Sequence, residues 1–308
     1  MKHLFIVNPS AGGVKKRAAE LQQEIRDFAD TLSDPHEIYV TKAPMDACGK
    51  IAEEAENADM LYVYACGGDG TLNECANGAA NRPNVAITHY PCGTGNDFIK
   101  MFGKENIHMF RDLKTLAGGT VRALDLIDCD GRYGLDICSV GIDARIGCDV
   151  HKYSGIPIIG GVTGYIVSLI VNLIKGVTQY FRITVGDFTS DGDITLACAC
   201  NGRFYGGGFN PVPDAMPDDG VLDCLIVKPV SRLKVITVVG KYSKGRFREF
   251  PDIITHVRGD CMEVEGDREF VVNIDGEAIY AKKISFRLIP KGINFIFPSE
   301  LDFFDSKA

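Results

Sequence analysis

The sequence has no surplus of basic residues, no low-complexity tract, no long run of one charge sign and no C-x-x-C pair. Each absence removes a class of protein. With 41 acidic against 33 basic side chains the formal net charge is −8, and nucleic-acid binding by general electrostatics, which needs a basic surplus or stripe, is excluded. A hydrophobic content of 45% and a charged content of 24% are those of an ordinary globular protein, so disorder is excluded as well. The eleven cysteines are odd in number and sit mostly in apolar runs such as Leu61 to Cys66. They read as small reduced core residues, not as a disulfide or metal framework. Cys198 and Cys200, two apart in a predicted strand, share a face. The apolar stretch before Asn8-Pro9 is far too short for a signal peptide, and the expectation is a cytoplasmic chain.

One segment raises the question of a membrane span. Gly155 to Ile174 holds no charged residue, but Pro157, Gly160, Gly161 and Gly164 interrupt it. The helical core that remains, Thr163 to Lys175, would be about 20 Å long against a hydrocarbon thickness of about 30 Å. It is predicted to be a buried or lipid-facing helix.

At 308 residues the chain is about two domains long. Up to about residue 90, short β-rich runs (3–7, 36–41, 60–66, 85–89) alternate with helical patterns (Lys15 to Leu32, 44–57, 71–80), as in βαβ units around a parallel sheet. In the first helix Ala18, Leu21, Ile25 and Phe28 recur at three- and four-residue spacing. From about 120 the rhythm becomes strands joined by turns: 120–129, 132–140, 180–187, 193–201, 221–228, 269–274, 283–289 and 293–297. The second half is predicted to be mostly antiparallel.

Three glycine-containing turns carry the chemistry. Asn8-Pro9-Ser10-Ala11-Gly12-Gly13 lies where the first strand gives way to the first helix, with Lys15 and Lys16 next. Small residues there let backbone N–H groups approach an anion. Gly67-Gly68-Asp69-Gly70-Thr71-Leu72-Asn73-Glu74 follows the third strand. Thr71 is suited to cap the next helix, and Asp69 to engage a metal or a nucleotide hydroxyl. Gly93-Thr94-Gly95-Asn96-Asp97-Phe98 begins like a dinucleotide fingerprint, but Phe98 replaces the third glycine, which disfavours an NAD site. No Walker A, H-R-D or D-F-G pattern occurs.

Together these motifs resemble the soluble diacylglycerol kinase and lipid kinase family, relatives of sphingosine and ceramide kinases. The likeness continues in Gly206-Gly207-Gly208, in Pro213 to Asp223, similar to the family's metal-binding loop, and in Asp275-Gly276-Glu277, similar to its catalytic D-G-E. It implies a two-domain α/β protein: an N-terminal three-layer α/β nucleotide-binding domain, 1–125, and a C-terminal β-sandwich lipid-binding domain, 126–289, with the site in the cleft between them and the 290–308 tail a candidate to return to the first.

The same resemblance implies that ATP is held by Ser10, Ala11, Gly12, Gly13, Val14, Lys15, Thr41, Gly67, Gly68, Asp69, Gly70, Thr71, Leu72, Asn73 and Thr94. Glu277, beside Asp275, would be the general base toward a lipid hydroxyl. Mg²⁺ would travel with ATP, and a second, structural Mg²⁺ would sit on the Met216 to Val221 loop, using Asp219, with Asp218 as an alternate and main-chain carbonyls, and with Asp69 reached through water. The implied partners are a membrane lipid substrate and a membrane surface touched peripherally, with no nucleic acid and a homodimer left open. The implied metabolic role is phospholipid biosynthesis. The family commonly carries an arginine where Lys100 stands, and lysine lacks its fork geometry.

Alone, Asp275-Gly276-Glu277 reads first as a plain hairpin turn between 269–274 and 278–289, and Asp218-Asp219-Gly220 has the same weakness; the joint occurrence of the five motifs in family order reverses that reading. Two rival functions remain: an NAD kinase, which shares the Gly-Gly-Asp-Gly turn, and a non-catalytic lipid or nucleotide sensor. With a chain charge of −8, membrane contact requires a local basic surface, for which Lys152, Lys175, Lys241, Lys244, Arg246 and Arg248 are candidates.

Overall fold

The computed structural model describes residues 1–9, 15–93, 95–153, 171–172 and 176–304, with backbone alone for 15–18 and 148–153. The predicted helix of Thr163 to Lys175 lies outside these residues except for the helical Val171 and Asn172. Among the described residues no helix is long and apolar enough to cross a membrane. The chain divides into two compact units, one of Met1–Leu126 with Pro290–Ala308, the other of Ile127–Ile289.

In the first unit β1 (Lys2–Val7), β2 (His36–Val40), β3 (Leu61–Gly67) and β4 (Val85–Pro91) are parallel, in the order β4–β3–β1–β2. The crossovers are helices α1 (Lys15–Ala29), α2 (Asp46–Asn57) and α3 (Asp69–Ala79). Leu4 to Val7 of β1 and Val63 to Gly67 of β3 are buried without alternation, as in a parallel sheet covered on both faces. Helix α2 buries Ala47, Ile51 and Ala55, a single stripe at four-residue spacing. After β4 come the short helices α4 (Asp97–Lys100) and α5 (Leu113–Ala117), with a 3-10 segment at Lys104–Arg111 between them.

The second unit is antiparallel. Its elements are β5 (Thr120–Cys129), which enters from the first unit, β6 (Arg132–Gly134), β7 (Ile137–Gly141), α6 (Ile142–Tyr153), β8 (Gln179–Val185), β9 (Phe188–Ile194), β10 (Leu196–Cys200), β11 (Leu222–Val227), α7 (Arg232–Tyr242), β12 (Ile254–Gly259), β13 (Cys261–Ile274) and β14 (Glu277–Phe297). The main order is β12–β11–β10–β7–β13, and β13 also pairs with β14 and with β8, which pairs with β9.

Alternation along the central strands builds two cores. Ala197, Ala199, Cys224 and Ile226 face one apolar cluster with Phe181, Val264 and Phe286. Cys198, Cys200, Leu225 and Val227 face another with Val238, Tyr242 and Phe247. Strands buried on both faces explain why these runs read as continuously apolar. The C-terminal end of β14 belongs to the first unit, where Asn294 and Phe295 pair in parallel with Ala86 and Ile87 of β4.

The structure departs from the sequence expectation in the second half. The single strand predicted at 132–140 is two, β6 and β7. The strands predicted at 283–289 and 293–297 are one. Helices α6 and α7 and strand β12 occupy stretches for which the sequence suggested none, and β9 takes the stretch between the strands predicted at 180–187 and 193–201 together with the start of the latter.

Candidate functional site

The chain leaves β1, crosses to β2 on one side, and then returns to β3 on the other. The carboxyl ends of β1 and β3 are therefore the topological switch point of the first unit, where open α/β sheets bind their ligands. The first glycine-containing motif opens directly after Val7 and the second at Gly67. Asn8 Nδ2 donates to Thr71 Oγ1 at 3.2 Å, tying the two together. Thr41 joins them, its N–H donating to the Val7 carbonyl at 3.0 Å. Asn8, Thr41 and Gly67–Asn73 thus share one end of the sheet. Ser10, Ala11, Gly12, Gly13, Val14 and Thr94 lie outside the described residues, and of Lys15 only the backbone is described.

Thr71 does not cap α3. The helix begins at Asp69 with Gly68 at its N-cap and no side-chain cap, which places Thr71 inside the first turn, buried, as an acceptor for Asn8. The first N–H groups of this helix have no intrahelical acceptor, the usual basis for holding an anion.

The second and third motifs interlock. Asp69 Oδ2 accepts from the Asn96 N–H at 2.7 Å and Oδ1 from the Asp97 N–H at 2.5 Å. Burial raises the Asp69 carboxyl above its ordinary range, and these N–H groups pull it back. The Gly67 carbonyl accepts from the Cys92 N–H at 2.8 Å, with His89 Nε2 3.1 Å away. A Cβ on Gly67 would fall 2.2 Å from Thr71 Oγ1, one on Gly95 2.3 Å from Asp69 Oδ2, and one on Gly93 2.6 Å from Gly68 Cα. Gly93 and Gly95 are therefore required by the contact between the two loops, and Gly67 by the first turn of α3. Lys100 Nζ meets Asp97 Oδ1 at 2.6 Å.

In the second unit Asp275 and Gly276 have φ of 50° and 100°, the left-handed pair of a two-residue hairpin between β13 and β14. The backbone thus realises the hairpin reading of Asp275-Gly276. Asp275 Oδ2 accepts from the Leu135 N–H at 2.6 Å, and Oδ1 from those of Asp136 and Ile137, both at 3.0 Å. This carboxylate takes up the N–H groups at the break between β6 and β7 and ties the turn to it. Asn273 Oδ1 adds a bond from the Gly276 N–H at 2.7 Å. Glu277 is exposed, its backbone paired with Ile274 across the hairpin, and its side chain has no hydrogen bond or ion pair among the described residues. Sequence reasoning missed Leu135–Ile137, because main-chain donors leave no residue signature.

The Met216 to Val221 loop places Asp219 with Oδ1 accepting from the Val221 N–H at 3.1 Å and Oδ2 from Arg258 Nη2 at 2.7 Å. Arg258 Nε lies 3.3 Å from Asp223 Oδ1, which His256 Nε2 approaches at 2.7 Å. Met216 Sδ lies 3.1 Å from Arg203 Nη2. No group of three His, Cys, Asp and Glu side chains that could hold a metal occurs among the described residues. The Asp219 carboxylate already faces a guanidinium, so this donor set as placed does not fit a resident divalent ion. Asp69 and Asp219 belong to different units, and both Asp69 oxygens are engaged by N–H groups.

A parallel α/β domain bearing interlocked glycine turns, followed by an antiparallel β-sandwich-like domain bearing an Asp-Gly-Glu hairpin, defines a two-domain class of kinase-like proteins. Two family models match it here: the Diacylglycerol kinase catalytic domain over residues 2–129, and the YegS C-terminal NAD kinase beta sandwich-like domain over residues 136–297. The chain belongs to this diacylglycerol kinase and lipid kinase family. A protein of Staphylococcus haemolyticus named "putative lipid kinase" is 28% identical over 257 residues, 83% of this chain and 82% of its own. One of the same descriptive name from Staphylococcus aureus strain MRSA252 is 27% identical over 253 residues, 82% of this chain and 81% of its own. A crystal structure described as a diacylglycerol kinase of Bacillus anthracis strain Sterne superposes with a TM-score of 0.71 at 25% identity, covering 97% of this chain and 98% of that one.

Proposed function

We propose that this protein is an ATP-dependent lipid kinase that transfers the γ-phosphate of ATP to a hydroxyl of diacylglycerol or a related lipid, giving phosphatidic acid or an analogous phospholipid. The observation that carries the reading is the coupling of three glycine-containing motifs at the β1/β3 switch point, through Asn8–Thr71 and through Asp69 to Asn96 and Asp97. Bare backbone beside a helix start suits a polyphosphate. The nucleotide enters as its Mg²⁺ complex, the ion belonging to the substrate and neutralising phosphate charge. No step is assigned to a metal on the Met216 to Val221 loop.

An alcohol is a weak nucleophile, and phosphoryl transfer needs a base at the hydroxyl proton and the attacking oxygen in line with the leaving oxygen. Glu277 supplies that base: its carboxylate is exposed and uncommitted among the described residues, and it accepts the hydroxyl proton as the oxygen attacks the γ-phosphorus and the bond to the β,γ-bridging oxygen breaks, releasing ADP. Asp275, with its carboxylate given to three N–H groups, is a positioning residue that holds the hairpin. The lipid substrate implies visits to a membrane surface from the cytoplasm.

The test is transfer of labelled γ-phosphate to a panel of lipids in mixed micelles, with nicotinamide nucleotide included because the second family model is described as NAD kinase-like. Transfer to a lipid alcohol and not to the dinucleotide is expected. Phosphorylation of the dinucleotide alone, or ATP binding without turnover on any acceptor, would replace the reading by one of its two rivals.

A further inference from the structure

Helix α7 (Arg232–Tyr242) has apolar residues on both of its sides. Its inner side buries Val235, Val238 and Tyr242, which help line an apolar cavity of about 50 Å³. On its outer side Leu233 is 79% and Ile236 58% exposed, three residues apart and so neighbours on one helix face. Isolated exposed hydrophobics need no explanation, but two adjacent ones on one turn do. Their setting supplies one. The 23 residues from Lys228 to Phe250 hold seven of the chain's 33 basic side chains, Lys228, Arg232, Lys234, Lys241, Lys244, Arg246 and Arg248, and one of its 41 acidic ones, Glu249.

Glu249 is bound by Lys241 at 2.7 Å and by Arg246, and Arg248 meets Asp214 at 3.1 Å. Two acids among these basic side chains leave the segment strongly cationic, inside a chain whose overall charge of −8 is repelled by an anionic surface. Exposed aliphatic residues flanked by Lys and Arg on one helix are the pattern of an interfacial membrane contact, in which cations draw the helix to anionic headgroups and the apolar side chains enter the acyl boundary.

We propose that the outer face of α7, with Leu233 and Ile236 as the inserting residues and the 228–250 cations around them, is the surface by which this protein docks on anionic phospholipid membranes. The inference deepens the lipid kinase reading and rests on it only in that a membrane-borne substrate gives the docking a purpose.

The experiment is cosedimentation of the full chain with phosphatidylcholine vesicles, with and without phosphatidylglycerol, for wild type, Leu233→Ser/Ile236→Ser and Lys234→Glu/Lys244→Glu. All of these positions lie outside the proposed catalytic machinery. We expect binding only to the anionic vesicles, a loss of about tenfold or more for the serine pair and of about fivefold or more for each reversed lysine. The melting temperatures should be unchanged. Wild type that ignores anionic vesicles would overturn the proposal, as would a serine pair that binds them equally well. So would a serine pair that only converts a sedimenting dimer to monomer, which would assign the face to a second copy. Transfer to a short-chain, micelle-dispersed diacylglycerol separates this from the kinase reading: it should persist in every variant, and its absence in wild type would sink the enzyme while leaving the vesicle result standing.

Discussion

Single residues divide the labour of this site in ways their motifs do not advertise. Asp69 stands where a metal or nucleotide contact was expected, yet both of its oxygens hold main-chain N–H groups of the third motif. Asp69→Asn turns an amide donor toward one of those N–H groups, so we expect a loss of about 2 kcal/mol in urea unfolding, present with or without Mg²⁺. A loss seen only when Mg²⁺ is present would return Asp69 to the metal. Arg258 is the counterpart in the second unit. If its guanidinium fills the cation's place at Asp219, wild type should show no Mg²⁺-dependent rise in melting temperature, whereas Arg258→Ala should gain one. A Mg²⁺ response in wild type that Arg258→Ala abolishes would contradict this. Asp275→Asn should lower both stability and transfer, because the carboxylate caps three N–H groups; an effect on transfer alone would make it a catalytic residue.

At the scale of elements, the first unit was legible because its signals agree. Helix α2 shows its apolar stripe, β3 its unbroken apolar run, and glycine turns mark the strand ends. The second unit was less so. Helix α7 is rich in Val, Ile and Thr and carries weak helical preference; Ser231, accepting from the Lys234 N–H at 3.3 Å, and the burial of Val235, Val238 and Tyr242 override that preference. The division between β6 and β7 was invisible because the N–H groups at the break are satisfied by a side chain 138 to 140 residues away.

Two buried groups give these elements opposite responses to pH. Burial holds the His89 imidazole at β4 down to about 4, against 6.5 in the unfolded chain. Acidification from 6.5 to 4 then protonates the unfolded state first and costs about 3 kcal/mol. Burial at the start of α6 raises Asp143 to about 6, against 3.8, so its contribution is present at low pH and is lost, also by about 3 kcal/mol, as pH rises through 6. The two contributions nearly offset each other between pH 4 and 6.5, so Asp143→Asn should make stability rise across that range relative to wild type, and His89→Gln should make it fall. Urea midpoints across that range decide the matter, and equal pH profiles for wild type and Asp143→Asn would refute the assignment.

For the molecule as a whole, an acidic balance of 41 against 33 leaves any contact with an anionic surface to a local group of cations. A chain at −8 places seven of its cations in the 23 residues from Lys228 to Phe250, three of them, Arg232, Lys234 and Lys241, on α7 itself. The family was legible because its motifs are local in sequence. What joins them, from Asn8–Thr71 to the N–H groups that hold Asp275, comes from pairs far apart in the chain and had to be seen in three dimensions. The lipid kinase reading converges on one carboxylate, and labelled phosphate transfer from ATP to diacylglycerol by wild type and Glu277→Gln tests it most directly. Wild type should form labelled phosphatidic acid, and the variant should lose about 100-fold or more in rate while keeping its stability and ATP affinity. Equal rates for the two proteins, or no labelled lipid from wild type, would contradict the account.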